Sequence, residues 1–203
     1  MTGTVGIIGS GEVAQAIAKH ALRAGYSVLL SNSRGPESLA ETVTALGDRT
    51  SAVTVAEAVD ADLIVVAVPF VKVPELVDAV PDWTGRVVVD VTNQFARYQP
   101  AYSGFVDLGA ETGSEWVARH LPGATVVKAF NTMYASYIAA DPRHDEGRQI
   151  VFYASDDDSA RATFARFVTD LGFAPVSVGG LRDGGRLMQL GGPLSAVHAL
   201  RQG

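Results

Sequence analysis

Residues 5–18 read VGIIGSGEVAQAIA, an apolar run that passes through Gly-Ser-Gly straight into a helical pattern. Residues 5–8 read as a buried strand. Residues 13–24 read as a helix that Gly25 stops at the left-handed cap position. Gly9, Gly11 and Ala14 fall at G-x-G-x-x-A spacing in the turn between them. The first glycine permits a tight strand-to-helix turn. The second lets a pyrophosphate reach the backbone without meeting a Cβ, and the small third residue lets helix and strand pack closely. The helix start adds unpaired N–H groups and a partial positive charge. Glycines at such turns also occur for plain geometry. The strand before, the helix after and a second strand near residue 30 favour a dinucleotide loop. Glu12 suits the helix dipole but would repel a pyrophosphate, so its side chain is expected to point aside.

The rest of the chain repeats the rhythm of short β-branched runs and helical stretches. Strands are predicted over 28–30, 52–53, 63–68, 87–91, 125–129, 150–154 and 175–178. Helices are predicted over 36–46, from 54, over 71–80 with an early break at Pro74, over 112–121, and after the Asp156–Asp158 run. The runs LIVVAV and VVVDV do not alternate with polar residues. Strands of that kind are buried on both faces, which implies a parallel sheet covered by helices. The fold class is therefore α/β, a Rossmann-type doubly wound parallel sheet, with a small helical C-terminal region. Residues 1–178 are read as the nucleotide-binding domain and 179–203 as the helical region. In such a sheet the ligand crevice lies at the C-terminal strand ends. Those ends are Gly9, Ser31, Pro69, Thr92–Asn93 and Phe130–Thr132. Residues 94–113 break the rhythm with Phe95, Tyr98, Tyr102 and Phe105 among Gly, Pro and Ser. They are expected to form a long loop that covers a flat ring or packs on a partner subunit. The terminal GGPLSAVHAL reads as an apolar helix with little chain left to cover it, so a homodimer is expected.

After the second strand, an NAD site usually presents an acid to the ribose 2′-hydroxyl. Here the stretch is SNSRG, residues 31–35, with no acid before Glu37. Asn32, Ser33 and Arg34 instead offer donors and a fixed guanidinium, which suits a 2′-phosphate and favours NADP(H). The alternative is an ordinary polar surface turn.

A net charge of −6 argues against general nucleic-acid binding. The absence of cysteine excludes disulfides, thiolate metal sites and a cysteine nucleophile, and fits a cytoplasmic location. The apolar runs are too short to span a bilayer, and no secretory leader is recognisable.

The segments GIIGSGEVAQAIA, SNSRGPE, VVAVPF, VVVDVTN and VVKAFNTM follow one another in an order that resembles the family of NADP oxidoreductases dependent on coenzyme F420. That group is itself similar to pyrroline-5-carboxylate reductases in its nucleotide domain. GSEWVARHLPGATVVKAFNTM and GGLRDGGRLMQLGGPL are the more specific parts of the likeness. The resemblance implies a homodimer that passes a hydride between NADPH and the deazaflavin of F420. It implies Ser10, Glu12 and Val13 beside the pyrophosphate and Ser33 and Arg34 beside the 2′-phosphate. It places Val68 and Pro69 along the cofactor and Ala129 to Thr132 near the nicotinamide. The family pattern often has His where this chain has Asn131.

Hydride transfer to a deazaflavin needs no proton relay, only ring alignment and exclusion of water. Reduction of an imine, enone or carbonyl would need a proton donor or a polarising group. Asn131, Thr132 and Tyr134, just past the VVKAF strand, are the candidates for that role. Asn131 and Thr132 could instead orient the nicotinamide amide or cap the next helix. His20 and His120 read as packing or surface residues, and His198 as part of the final helix. Asp156–Asp158 read as a helix start rather than a metal cluster, and no metal is expected. Arg182 and Arg186, at i,i+4 spacing, read as surface residues that could meet an anionic tail. Three functions stay open: an F420-type NADP oxidoreductase, an NADPH-dependent reductase of another small molecule or flavin, and a non-catalytic NADP-binding sensor.

Overall fold

The computed structural model describes residues 3–202. In chain order, β1 (Thr4–Ile8), α1 (Glu12–Arg23), β2 (Ser27–Ser31), a 3₁₀ turn at Pro36–Leu39, α2 (Ala40–Leu46) and β3 (Thr50–Ala52) form the first half. α3 (Val55–Ala58), β4 (Leu63–Val66), a 3₁₀ segment at Phe70–Glu75, α4 (Leu76–Ala79) and β5 (Val87–Asp90) follow. Then come β6 (Phe95–Arg97), β7 (Ser103–Phe105), α5 (Gly113–His120), β8 (Thr125–Ala129), α6 (Ala135–Ala139) and β9 (Arg143–His144). β10 (Gly147–Ala154), α7 (Asp158–Asp170), β11 (Ala174–Ser177), α8 (Asp183–Met188) and β12 (Leu200–Arg201) complete the chain.

The main sheet runs β11-β10-β8-β5-β4-β1-β2-β3. Within it the six strands β3-β2-β1-β4-β5-β8 are parallel to one another, in Rossmann order, and the order reverses between β1 and β4. The apolar strands are covered on both faces, as their lack of alternation requires. Val5, Ile7, Leu63, Val65, Val89 and Val127 pack under α1, α6 and α7. Ile8, Ile64, Val66 and Val88 pack on the opposite face under Phe70, Val73, Leu76 and Val117. Capping starts the helices where the sequence signals it. Thr54 and Glu57 form a full capping box on α3, as do Thr112 and Glu115 on α5.

Three features depart from the sequence reading. The sheet is not parallel throughout, because β10 runs antiparallel to β8. Only the five-residue α6 precedes the β9–β10 hairpin, whose reversal sets the direction of β10. A parallel return would need a longer crossover. Residues 94–113 are not a plain loop: β6 and β7 pair, with Phe95 opposite Phe105 and Arg97 opposite Ser103. Finally, the apolar helix expected in GGPLSAVHAL does not form, and His198 is not helical. A Cβ on Gly192 would stand 2.5 Å from the Arg186 carbonyl oxygen, so the chain folds back on the end of α8 there. The Leu194 N–H donates to the Leu187 oxygen at 2.9 Å. The tail then adds β12 to β10, so residues 179–202 hold one short helix and a strand of the main sheet. That helix was one of two grounds for the expected homodimer, the family resemblance being the other. No helix of the described residues is long and apolar enough to cross a membrane.

Candidate functional site

The two glycines of the opening turn have different physical causes. Gly9 has φ +124° and donates its N–H to the Ser31 oxygen at 2.8 Å. A Cβ there would stand 2.2 Å from the Ala67 oxygen, so the crossing of β1 and the chain leaving β4 admits only glycine. Gly11 has an ordinary φ of −75° and caps α1 without a side-chain bond. A Cβ on Gly11 would meet nothing within 4 Å. The chain's own packing does not require that glycine. It leaves open space over the first turn of α1, where N–H groups lack helical partners and the dipole is positive. Ser10 is held there by Gln15, whose Nε2 donates to the Ser10 oxygen at 2.9 Å. Glu12 is exposed, Val13 half-buried and Ala14 buried against the sheet.

At the end of β2, Asn32 is a brace. Its Oδ1 accepts the Arg34 N–H at 2.9 Å, and its Nδ2 reaches Ser38 Oγ at 3.0 Å and Ser10 Oγ at 3.4 Å. Asn32 therefore ties the two loops together rather than standing free as a donor. Ser33 and Arg34 are exposed beyond it, and the Arg34 guanidinium has no partner among the described residues.

At the other end of the crevice, Val68 and Pro69 are half-buried where the chain leaves β4. Asn93 follows β5, and Asn131 follows β8. Asn93 Nδ2 donates to the Asn131 oxygen at 2.9 Å. Asn131 Nδ2 donates to Asn93 Oδ1 at 3.2 Å and to the Met188 oxygen at 2.9 Å. Ala129 ends β8 fully buried, and Phe130 turns the chain with φ +61°. That conformation is strained for a residue with a Cβ, and such strain concentrates at functional sites. The Phe130 ring is held edge-on by Phe164 and Phe173, at 6.0 and 6.1 Å. Beside it, Asn131 Oδ1, Thr132 Oγ1 and Thr92 Oγ1 are buried with no partner. Buried polar atoms in native proteins are nearly always bonded. Three polar atoms left open past the ends of β5 and β8 fit a ligand with an amide, such as a carboxamide. Thr132 does not cap the next helix, because Tyr134 is the N-cap residue of α6. Tyr134 is 64% exposed, and its ring neighbours Tyr137 at 6.0 Å. The structure thus separates Tyr134, a surface residue, from the buried Asn131 and Thr132.

The sequence reading missed the ion pair beneath this end. Asp90 and Lys128 are register partners on β5 and β8. Lys128 Nζ lies 3.0 Å from Asp90 Oδ2 and also donates to the Thr92 oxygen, while Asp90 Oδ1 accepts the Thr92 N–H at 2.8 Å. Burial pushes the Lys128 ammonium below the usual lysine range, against the opposing pull of Asp90. The signal was available: a lone Asp in VVVDV and a lone Lys in VVKAF, in strands buried on both faces, must pair. Lys128, Asn131, Gln94 and Gln189 line a small cavity of about 10 Å³. Beyond Gln94 and Gln189 opens a cleft of about 340 Å³, bounded also by Phe105, Val106 and Leu108. Phe105 stacks on Phe95 at 5.9 Å, so the β6–β7 hairpin forms one wall of that cleft.

The remaining sequence candidates have local structural roles. His20 is buried, its Nε2 2.7 Å from the Ile138 oxygen, and burial lowers its pKa. Asp157 caps α7 through the Ala160 N–H, Asp156 accepts the Leu181 N–H, and Asp158 pairs with Arg161. Among the described residues no group of His, Asp and Glu could hold a metal. Arg182 lies 4.0 Å from Glu115, and Arg186 reaches the Ala110 oxygen at 3.4 Å.

The chain is similar to several known proteins. A family model described as "NADP oxidoreductase coenzyme F420-dependent" matches residues 4–94. The rat protein named metalloreductase STEAP3 is 30% identical over 178 residues, which is 87% of this chain and 34% of that protein. The chain thus spans about a third of the length of the curated relatives it matches. The structure of the hypothetical protein SMa0349 of Sinorhizobium meliloti is 37% identical with a TM-score of 0.90, covering 100% of this chain and 97% of that one. A candidate F420-dependent NADP reductase from Arthrobacter sp. FB24 has the same fold at TM-score 0.74 and 22% identity, covering 88% of this chain and 86% of that one.

Proposed function

We propose that the chain, whose residues 4–94 match the family model described as coenzyme F420-dependent NADP oxidoreductase, transfers a hydride between NADPH and a ring acceptor, the deazaflavin F420. The observation that supports this most is a pairing across one crevice. An unpartnered guanidinium at Arg34 and an open helix start at Gly11 stand at one end, and orphaned buried polar atoms at Asn131 and Thr132 stand at the other. These residues fit NADPH. Arg34 and Ser33 would hold the 2′-phosphate, and the first turn of α1 the pyrophosphate. Asn131 Oδ1 and Thr132 Oγ1 would take the carboxamide, and the 340 Å³ cleft beyond Gln94 and Gln189 would take the acceptor.

The cofactor, when bound, supplies a hydride from C4 of its dihydronicotinamide. The chain's part is to align and to exclude water. Phe130 and the Asn93–Asn131 bonds fix the backbone under the nicotinamide end. The Phe105 wall and the two glutamines at the cleft mouth suit a flat heteroaromatic acceptor.

The test mixes the purified protein with NADPH and F420 without oxygen and follows the deazaflavin absorbance. The expected outcome is loss of that absorbance in step with oxidation of NADPH. Turnover of free flavin or a cyclic imine, with F420 inert, would move the activity to another acceptor. NADPH binding without turnover of any of the three would leave a sensor.

A further inference from the structure

The molecule has a further concave feature apart from the proposed cofactor crevice. It lies at the opposite end of β10, a cleft of about 640 Å³. There β10 is the middle strand of a small patch. Arg148 is the register partner of Arg143 on β9 and also of Arg201 on β12. A strand has two edges, so Arg148 stands between the other two. Directly opposite residues project on the same face. All three arginines are exposed, while the next residue of β10, Gln149, is buried on the other face.

Three guanidinium groups in a row across adjacent strands are an unfavourable arrangement for stability alone, since like charges directly opposite repel. The fold does little to neutralise them. Arg143 has Asp141 at 3.6 Å and packs over Gly172, where a Cβ would stand 2.6 Å from its Cζ. Arg148 donates only to the Gly172 oxygen, at 3.3 Å. Arg201 has no side-chain partner among the described residues. Asp145 and Glu146 form the nearby hairpin tip, yet neither makes an ion pair with an arginine among the described residues. The chain as a whole has a net charge of −6, so the row is not part of a generally basic surface.

We propose that this cleft binds a small polyanion, a molecule bearing two or more phosphate or carboxylate groups. The guanidinium fork matches both groups in the same bidentate way. Strand spacing of about 4.8 Å sets the three forks over roughly 10 Å, a span for a multiply charged ligand rather than a single ion. The volume lies in the usual range of small-ligand sites, about 300–1,000 Å³. This site is independent of hydride transfer and of the NADP crevice.

The test is calorimetric titration of the full chain at low salt with tripolyphosphate, and separately with citrate. Three proteins are compared: the native chain, the double variant Arg148→Gln/Arg201→Gln, and Arg34→Ala. At least one probe is expected to bind the native chain and Arg34→Ala alike, with at least tenfold weaker binding to the double variant and strong weakening by added salt. Without ligand, the double variant is expected to melt no lower than the native chain, since it relieves repulsion. That readout separates loss of the site from loss of the fold. Failure of both probes to bind, equal binding by the double variant, or loss of binding in Arg34→Ala alone would overturn the proposal. None of these outcomes depends on whether F420 is the acceptor.

Discussion

Thr132 places a hydroxyl in the interior with nothing to bond, at a turn already strained by the left-handed Phe130. An unpaired buried hydroxyl costs about 1–3 kcal/mol. Thr132→Val keeps the shape and removes that cost. The ligand-free variant is expected to gain about 1 kcal/mol of stability, while its NADPH affinity falls by about 2–10-fold. Chemical denaturation and cofactor titration on one preparation check both parts. A less stable variant with native affinity would give the hydroxyl a purely structural role. At this scale the sequence was partly legible. Residue type and position singled out Gly11 and Arg34, and the structure leaves both free of the chain's own packing. Asn32, read as a donor to the cofactor, has its amide on Ser38 and Ser10. Its partner Ser38 lies six residues on, and nothing in a polar turn says which side chains bond each other. Tyr134 was grouped with Asn131 and Thr132 by adjacency, yet the turn into α6 leaves it exposed.

Strands and helices were legible where local chemistry decides them. The capping boxes at Thr54 and Thr112, the stop at Gly25 and the apolar runs of β4 and β5 each depend on neighbours in sequence. The β6–β7 hairpin and the end of the chain were not. The end of the chain takes its form from pairing with β10, which lies far away in sequence, and the short β6 and β7 carry no alternating apolar pattern to mark them. The pairing of β5 with β8 has an energetic test of its own. Lys128→Met leaves Asp90 buried without its partner, and removal of one member of such a pair costs about 3–5 kcal/mol. Lys128→Met combined with Asp90→Asn is expected to recover most of that loss. Urea unfolding of the two variants distinguishes the cases. An equal loss in both would mean that the lysine stem, not its charge, holds the strands together.

On the scale of the whole molecule, the order β3-β2-β1-β4-β5-β8 puts the point where the strand order reverses next to Gly9, and the crevice follows from that topology. The antiparallel β10 extends the sheet beyond the nucleotide half and brings in α8, whose Met188 oxygen holds Asn131. The nucleotide half of this architecture could be read from alternating strands and helices. The extension could not, since the direction of β10 is set by a two-residue hairpin strand that has no sequence signature. The account depends most on the claim that this crevice binds NADP(H) and recognises its 2′-phosphate through Arg34. Calorimetry of NADPH and NADH binding to the native chain and to Arg34→Ala tests it directly. The native chain is expected to prefer NADPH. The variant is expected to lose roughly 1.5–3 kcal/mol toward NADPH, about one to two decades in affinity, with NADH nearly unchanged. Equal affinity of the native chain for the two cofactors, or an equal loss for both in the variant, would contradict it.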